Sequence, residues 1–166
     1  MARLHWVVRG VAVATLGLLL FPVTAGAATP TKHAFSLQPA GTLTGICSFP
    51  FDLSSTITGT EIDYFDSSGN PTRIFIHATE QDTFTGPGAR LTSIPYTYDV
   101  QVEFDSQGNL ASVYSTGTVM KLALPDGSVF HSAGRLNDLA HQDVSFVLVP
   151  DVGRSGNLSA FCAALA

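Results

Sequence analysis

Alternation of apolar and polar residues marks two stretches of this chain. Phe and Leu or Ile alternate with Asp, Ser and Thr from Phe49 to Thr58, and the same period of two runs from Tyr96 to Asp105. Successive side chains of a strand point to opposite faces, so both stretches are predicted to be strands with one buried face. Shorter or less regular runs predict further strands at Ile62–Tyr64, Arg73–Thr83, Leu110–Leu124, Val129–Leu136 and Val144–Val149, with Gly117 as a bulge or kink.

Turn sequences separate these strands and predict antiparallel hairpins. Asp66–Pro71, Asp105–Asn109 and Pro125–Gly127 are rich in Asp, Asn, Gly and Pro, which favour tight turns. The final apolar segment, Leu158–Leu165, is either a short terminal turn or a last strand. The pattern therefore predicts an all-β fold, an antiparallel meander of seven or eight strands that closes into a small barrel. A two-sheet β-sandwich is the alternative.

The N-terminus has the three parts of a secretory signal peptide. Arg3 and Arg9 precede an uncharged apolar run, and Ala25–Ala27 supplies small residues before a predicted cleavage site at Ala28. Cleavage one residue later also fits, and the alternative is an uncut membrane anchor. Pro22 and polar or small residues beyond it weaken that alternative, since a spanning helix needs ~20 apolar residues. We therefore predict a secreted, extracellular protein with a signal peptide (1–27), a flexible N-terminal tail (28–45) and one β-domain (46–166). A tail that lies across the domain is the alternative.

Export changes how the two cysteines are interpreted. Cys47 and Cys162 stand near the two ends of the predicted domain, and an oxidising compartment favours a disulfide between them. Their positions also favour the barrel, in which the first strand begins beside the end of the last. The formal net charge is −5 and becomes more negative once Arg3 and Arg9 are removed. Such a chain, without a basic cluster, is a poor candidate for binding nucleic acid or, after cleavage, a membrane.

No catalytic or cofactor motif is recognisable. His77 with Glu80 and Asp82 is the first candidate metal cluster, but His77 faces away from the two carboxylates in a strand. The second candidate joins His131, His141 and Asp143, without ligands that visibly converge. Asp99 and Glu103 share a strand face, which is typical of a solvated surface as well as of paired catalytic carboxylates. We therefore assign no catalytic residue, no metal and no cofactor.

Aromatic and histidine side chains form the candidate ligand-binding set. If the sheet closes, some inward residues could line a cavity for a small apolar ligand, although filling the core is the simpler role. The sequence thus predicts a non-enzymatic domain that binds a small apolar ligand or a surface partner such as a protein or glycan. The alternative is a barrel-type enzyme of the cyclase or isomerase kind with a cavity site. The candidate lining residues are Phe75, His77, Tyr96, Tyr98, Tyr114 and His131.

Short motifs around the cysteines carry a family resemblance. Gly45–Phe51 contains Cys-Ser-Phe-Pro, Phe161–Ala166 contains Cys-Ala-Ala-Leu, and Pro125–Ser128 is followed by Ala133–Leu136 with Gly-Arg. These segments resemble small uncharacterised secreted proteins of actinobacteria, over roughly residues 45–166. The central Thr-Asn and Thr-Gly turn expected of such proteins is missing. The resemblance implies export and a β-rich fold, and it transfers no activity and no catalytic residue.

Overall fold

A computed structural model describes residues 29–141 and 148–166 of the chain. The predicted signal peptide and most of the predicted strand Val144–Val149 lie outside the described residues. Within those residues, no helix has the length and hydrophobicity needed to cross a membrane.

The described residues form one antiparallel sheet of nine strands and a single short helix. The sheet order is β1-β3-β4-β6-β7-β8-β9, while β2 also pairs with β3 and β5 also pairs with β4. The prediction of an all-β antiparallel meander is therefore confirmed. The elements are β1 (Thr31–Leu37), β2 (Ala40–Leu43), β3 (Phe51–Phe65), β4 (Pro71–Thr85), β5 (Arg90–Thr92), β6 (Tyr96–Phe104), β7 (Leu110–Ala123), β8 (Val129–Asn137), β9 (Val152–Arg154) and α1 (Leu158–Leu165).

No pairing among the described strands closes the sheet, so the predicted barrel is not supported, and these strands do not divide into the two sheets of a sandwich. Two features account for the difference. The segment 28–45, predicted as a flexible tail, contributes β1 and β2, which occupy the free edge of β3. The C-terminal segment Leu158–Leu165 is a helix, so it supplies no last strand to close the sheet.

The long hairpin of β3 and β4 was only partly visible in the sequence. The predicted separate strand Ile62–Tyr64 is the second half of β3, which is continuous over 15 residues. β1 escaped detection because nearly all of its side chains are exposed, and an exposed strand shows no apolar alternation.

The helix packs against one end of one face of the sheet, which we call the inner face. Phe161 and Leu165 of α1 are fully buried there. The Phe161 ring centroid lies 5.2 Å from that of Phe84 and 5.4 Å from that of Phe130, and the Phe84 contact is edge-on. Asn157 caps the helix N-terminus, since its side chain accepts a hydrogen bond from the Ala160 backbone N–H. We call the part of the sheet that packs against α1, including the N-terminal half of β3 and the C-terminal half of β4, the helix end.

A row of glycines crosses the sheet beyond the helix end. Gly117, Gly134 and Gly153 are neighbours in register on β7, β8 and β9 and have φ values of 122°, 157° and 142°. Gly59 on β3 belongs to the same row, because it pairs with Ala78 on β4, which pairs with Tyr98 on β6. Tyr98 in turn pairs with Gly117. A Cβ at Gly134 would collide with the carbonyl of β9, so close backbone approach requires glycine there. The β7 register shifts between Thr118 and Met120, so the irregularity lies about two residues beyond Gly117, where the sequence predicted a bulge or kink.

The opposite part of the sheet carries two nearly identical hairpin turns, and we call it the turn end. Phe65–Asn70 reads Phe-Asp-Ser-Ser-Gly-Asn, and Phe104–Asn109 reads Phe-Asp-Ser-Gln-Gly-Asn. In each turn the Asp side chain accepts hydrogen bonds from backbone N–H groups and from the Asn side chain. These bonds, led by those from the Asn, lower the pKa values of both Asp residues. Both hairpin predictions are confirmed.

The predicted disulfide between Cys47 and Cys162 is present, with a Cα–Cα distance of 5.5 Å. It ties the helix to the chain segment that leads into β3, across a sequence separation of 115 residues. Both cysteines also pack against the hydrophobic core.

Removing the disulfide should destabilise the fold strongly. For the double variant Cys47→Ser with Cys162→Ser, we expect the free energy of unfolding to fall by about 4–5 kcal/mol, because the unfolded chain regains the entropy of a long open loop. Urea unfolding monitored by circular dichroism measures the change. Ser48→Ala, an exposed neighbour of Cys47, is the control and should leave the midpoint unchanged. An unchanged midpoint in the double variant would show that the link does not hold the helix in place.

Candidate functional site

The face opposite α1, which we call the outer face, carries a polar and aromatic surface at the turn end. Phe75 on β4, Gln101 on β6 and Tyr114 on β7 stand in one row across the sheet. The two near-identical turns explain this placement, because each aromatic residue follows the turn Asn by the same number of residues. Alternation then sends all three side chains to the face that α1 leaves uncovered.

A depression of about 400 Å³ lies over this row. It is open to solvent. We call it the outer-face cleft, and it is lined by Phe75, Asp99, Gln101, Glu103, Tyr114, Thr116 and Arg135.

Hydrogen bonds hold the acidic groups of the cleft in place. His77 Nδ1 lies 2.6 Å from Asp99 Oδ1, between directly paired strand positions. Glu103 accepts two hydrogen bonds, from Gln101 Nε2 at 2.7 Å and from Ser112 Oγ at 3.0 Å. A carboxylate with a fixed orientation can accept a ligand hydroxyl without losing further side-chain entropy, which favours binding.

Arg135 is the cationic group of the cleft. Its guanidinium carbon lies 3.8 Å from the centroid of the Tyr114 ring, a cation–π stack that fixes the plane of the guanidinium. Among the described residues, no carboxylate lies within ion-pair distance of Arg135. The arginine therefore presents donors at the cleft that a ligand oxygen can use.

The structure divides the six sequence-predicted ligand residues between two faces. Phe75, His77 and Tyr114 lie together on the outer face at the turn end. Tyr96 and Tyr98 point to the inner face. His131 pairs with Lys121 on β8 and β7 at the helix end, away from the cleft.

Sequence reasoning missed Arg135 and Gln101 as members of the site. It did place Asp99 and Glu103 on one strand face, which the structure confirms. The repeated turn motif fixes the pairing of β3 with β4 and of β6 with β7, but the alignment of β4 with β6 has no local signal in the sequence.

Tyr96 belongs to a second polar cluster, which is buried on the inner face. Its hydroxyl donates a hydrogen bond of 2.5 Å to Asp82 Oδ2, and the Ser55 hydroxyl donates to Asp82 Oδ1. Asp82 is fully buried and its backbone N–H donates to Ser93 Oγ. The Asp82 carboxylate therefore has partners on both oxygens, which is how a buried charge is tolerated.

Glu80 stands beside Asp82 on the same face and is also buried. Burial, followed by the charge of Asp82, raises the pKa of Glu80 to about 7, while hydrogen bonding to Tyr98 opposes the increase. Burial, together with the charges of Glu80 and Asp82, also raises the pKa of Tyr96. A carboxyl that titrates near neutral pH is the residue type that general acid–base chemistry uses.

Neither candidate metal cluster forms among the described residues. His77 does face away from Glu80 and Asp82, as the strand geometry predicted, although no sequence pattern indicated that the carboxylates are buried. His141 Nε2 lies 2.7 Å from Asp151 Oδ1 instead, and Asp143 lies outside the described residues. No group of three or more potential ligands able to hold a metal is present in 29–141 and 148–166.

Comparison with known proteins adds no relative: no family model, curated protein or solved structure matches the chain. The resemblance to secreted actinobacterial proteins therefore stays a prediction, and the site must be interpreted from its own chemistry.

The pKa of Glu80 makes stability depend on pH. The ordinary pKa of 4.5 applies to the unfolded chain and about 7 to the folded one, so the folded protein retains a proton that the unfolded chain releases. The contribution of Glu80 to the free energy of unfolding is therefore fully present below pH 4.5. It is lost as the pH rises through 7, and the total loss is about 3 kcal/mol.

Urea unfolding of the wild type and of Glu80→Gln at about pH 5 and pH 8 isolates this contribution. The wild type should lose more stability than the variant as the pH rises. Glu103→Gln, which alters an exposed carboxylate, should behave as the wild type does. Parallel curves for wild type and Glu80→Gln would refute the assignment.

Proposed function

We propose that this protein is a secreted, non-enzymatic binding domain and that the outer-face cleft holds a glycan of a cell surface or matrix. The observation that carries the proposal is the Arg135–Tyr114 stack. It lines the same cleft as the Phe75 ring and the two hydrogen-bonded carboxylates Asp99 and Glu103. The predicted signal peptide and the disulfide support a role outside the cell.

The composition of the cleft fits a sugar ring. A sugar has an apolar face of C–H groups and an edge of hydroxyls that both donate and accept hydrogen bonds. Phe75 offers an apolar surface, Glu103 and Asp99 offer acceptors, and Arg135 offers donors. An open, polar cleft of this kind suits a hydroxyl-rich ligand better than the small apolar ligand that the sequence also suggested, because apolar ligands favour enclosed sites.

An enzyme of the cyclase or isomerase kind is the second candidate, and the buried cluster of Glu80, Asp82 and Tyr96 is what favours it. Glu80 has a pKa suited to proton transfer. However, Tyr96 and Asp82 already satisfy each other by a hydrogen bond, and both are buried. The cluster has the features of a structural polar network, so the binding function is better supported.

Arg135→Ala tests the binding function. In isothermal titration calorimetry with maltotriose, cellotriose and chitotriose, we expect the wild type to bind at least one and the variant to lose about tenfold in affinity. The loss corresponds to one charge-assisted hydrogen bond of about 1.5 kcal/mol. Arg135 is exposed, so the fold should be unaffected.

Arg90→Ala is the matched control, because Arg90 is an exposed arginine on β5, at the helix end. It makes the same change in net charge and should bind as the wild type does. Equal losses in both variants would indicate a general charge effect, and no binding of any trisaccharide by the wild type would count against the proposal.

A further inference from the structure

A second depression lies next to the outer-face cleft, toward the hairpin turns. It has a volume of about 710 Å³ and is open to solvent. Glu103 lines both depressions, so they adjoin at this residue. We call the second one the turn-end depression, and it is lined by Thr29, Pro30, Tyr64, Phe65, Thr72, Arg73, Glu103, Phe104 and Ala111.

The turn-end depression repeats the central feature of the cleft. The guanidinium carbon of Arg73 lies 4.1 Å from the centroid of the Tyr64 ring, and the two residues are paired across β3 and β4. Arg73 is exposed, and no carboxylate of the described chain lies within ion-pair distance of it. Each depression therefore has one arginine that is oriented by a tyrosine and keeps its donors available.

Glu103 stands between the two arginines. It pairs with Arg73 on β4 and with Ser112 on β7. Arg135 pairs with Thr116, which lies four residues after Ser112 on β7. With ~3.3 Å per residue along a strand and ~4.8 Å between strands, the two arginines are roughly 20 Å apart on a diagonal. That distance exceeds the length of a single sugar ring.

We propose that the two depressions form one groove that binds a linear, uncharged glycan over several sugar units. This inference rests on the proposed function and extends it from a single sugar site to a chain. Arg135 and Arg73 donate hydrogen bonds to hydroxyls of units near the two ends, and Glu103 accepts from a hydroxyl between them. An anionic glycan fits less well, because Glu103 and the negative net charge of the protein would repel it.

The direction of the groove also argues against an extended peptide. Peptides that add to a sheet pair with the backbone of an edge strand. The groove instead crosses β4, β6 and β7, which are interior strands with neighbours on both sides. The ligand must therefore be recognised through side chains, which suits a chain of hydroxyl-bearing rings.

Chain length is the variable that tests the groove. We expect affinity to rise at least tenfold from the disaccharide to the hexasaccharide in the malto-, cello- or chito-oligosaccharide series that binds. Arg73→Ala should abolish most of that gain and leave the affinity for the disaccharide in the cleft unchanged. Arg135→Ala should weaken every member of the series, and Arg90→Ala should weaken none.

The outcomes separate the two proposals. Affinity that is independent of chain length and of Arg73→Ala, but lowered by Arg135→Ala, would overturn the extended groove and leave the single-sugar site standing. Failure of all three series to bind would overturn both. Tighter binding of an acidic series such as oligogalacturonate would overturn the assignment to uncharged glycans.

Discussion

The burial of Phe161 against Phe51, Phe84 and Phe130 is the contact on which the rest of this structure depends. An open sheet has two faces and can be stable only if something covers at least one of them. Here an eight-residue helix does so, and a helix of that length is marginal without tertiary contacts. The disulfide at Cys162 and the Asn157 cap hold the helix where its two large side chains can reach the sheet.

Covering the inner face at the helix end leaves a long surface elsewhere. The strands β3 and β4 extend well past the helix, and the glycine row through Gly117 and Gly134 marks the transition. At the turn end the outer face is held rigid by backbone pairing on every interior strand and is free of helix. A rigid scaffold that presents side chains to solvent is a suitable place for a binding site.

Much of the fold was predictable because the relevant signals are local. The alternation in Tyr96–Phe104 and the Asp-Gly turns fix strands and hairpins, and the cysteines suffice for the disulfide in an exported chain. Leu158–Leu165 was ambiguous, because seven apolar residues and one serine show neither a clear helical nor a clear strand period. The buried pair Glu80 and Asp82 was invisible, because polar residues occupy both faces of β4 there and no apolar alternation reveals which face is covered.

The site itself needed register, which no local pattern provides. Phe75, Gln101 and Tyr114 are far apart in sequence and meet only because β4, β6 and β7 pair in one particular alignment. We propose that the outer face at the turn end is the functional surface of a sheet whose inner face is covered by α1 at the helix end. Backbone amide chemical shifts of labelled protein, titrated with the oligosaccharide that binds, test it most directly. The account predicts changes centred on Phe75, Gln101 and Tyr114, and changes centred on Tyr96 and Phe161 would contradict it.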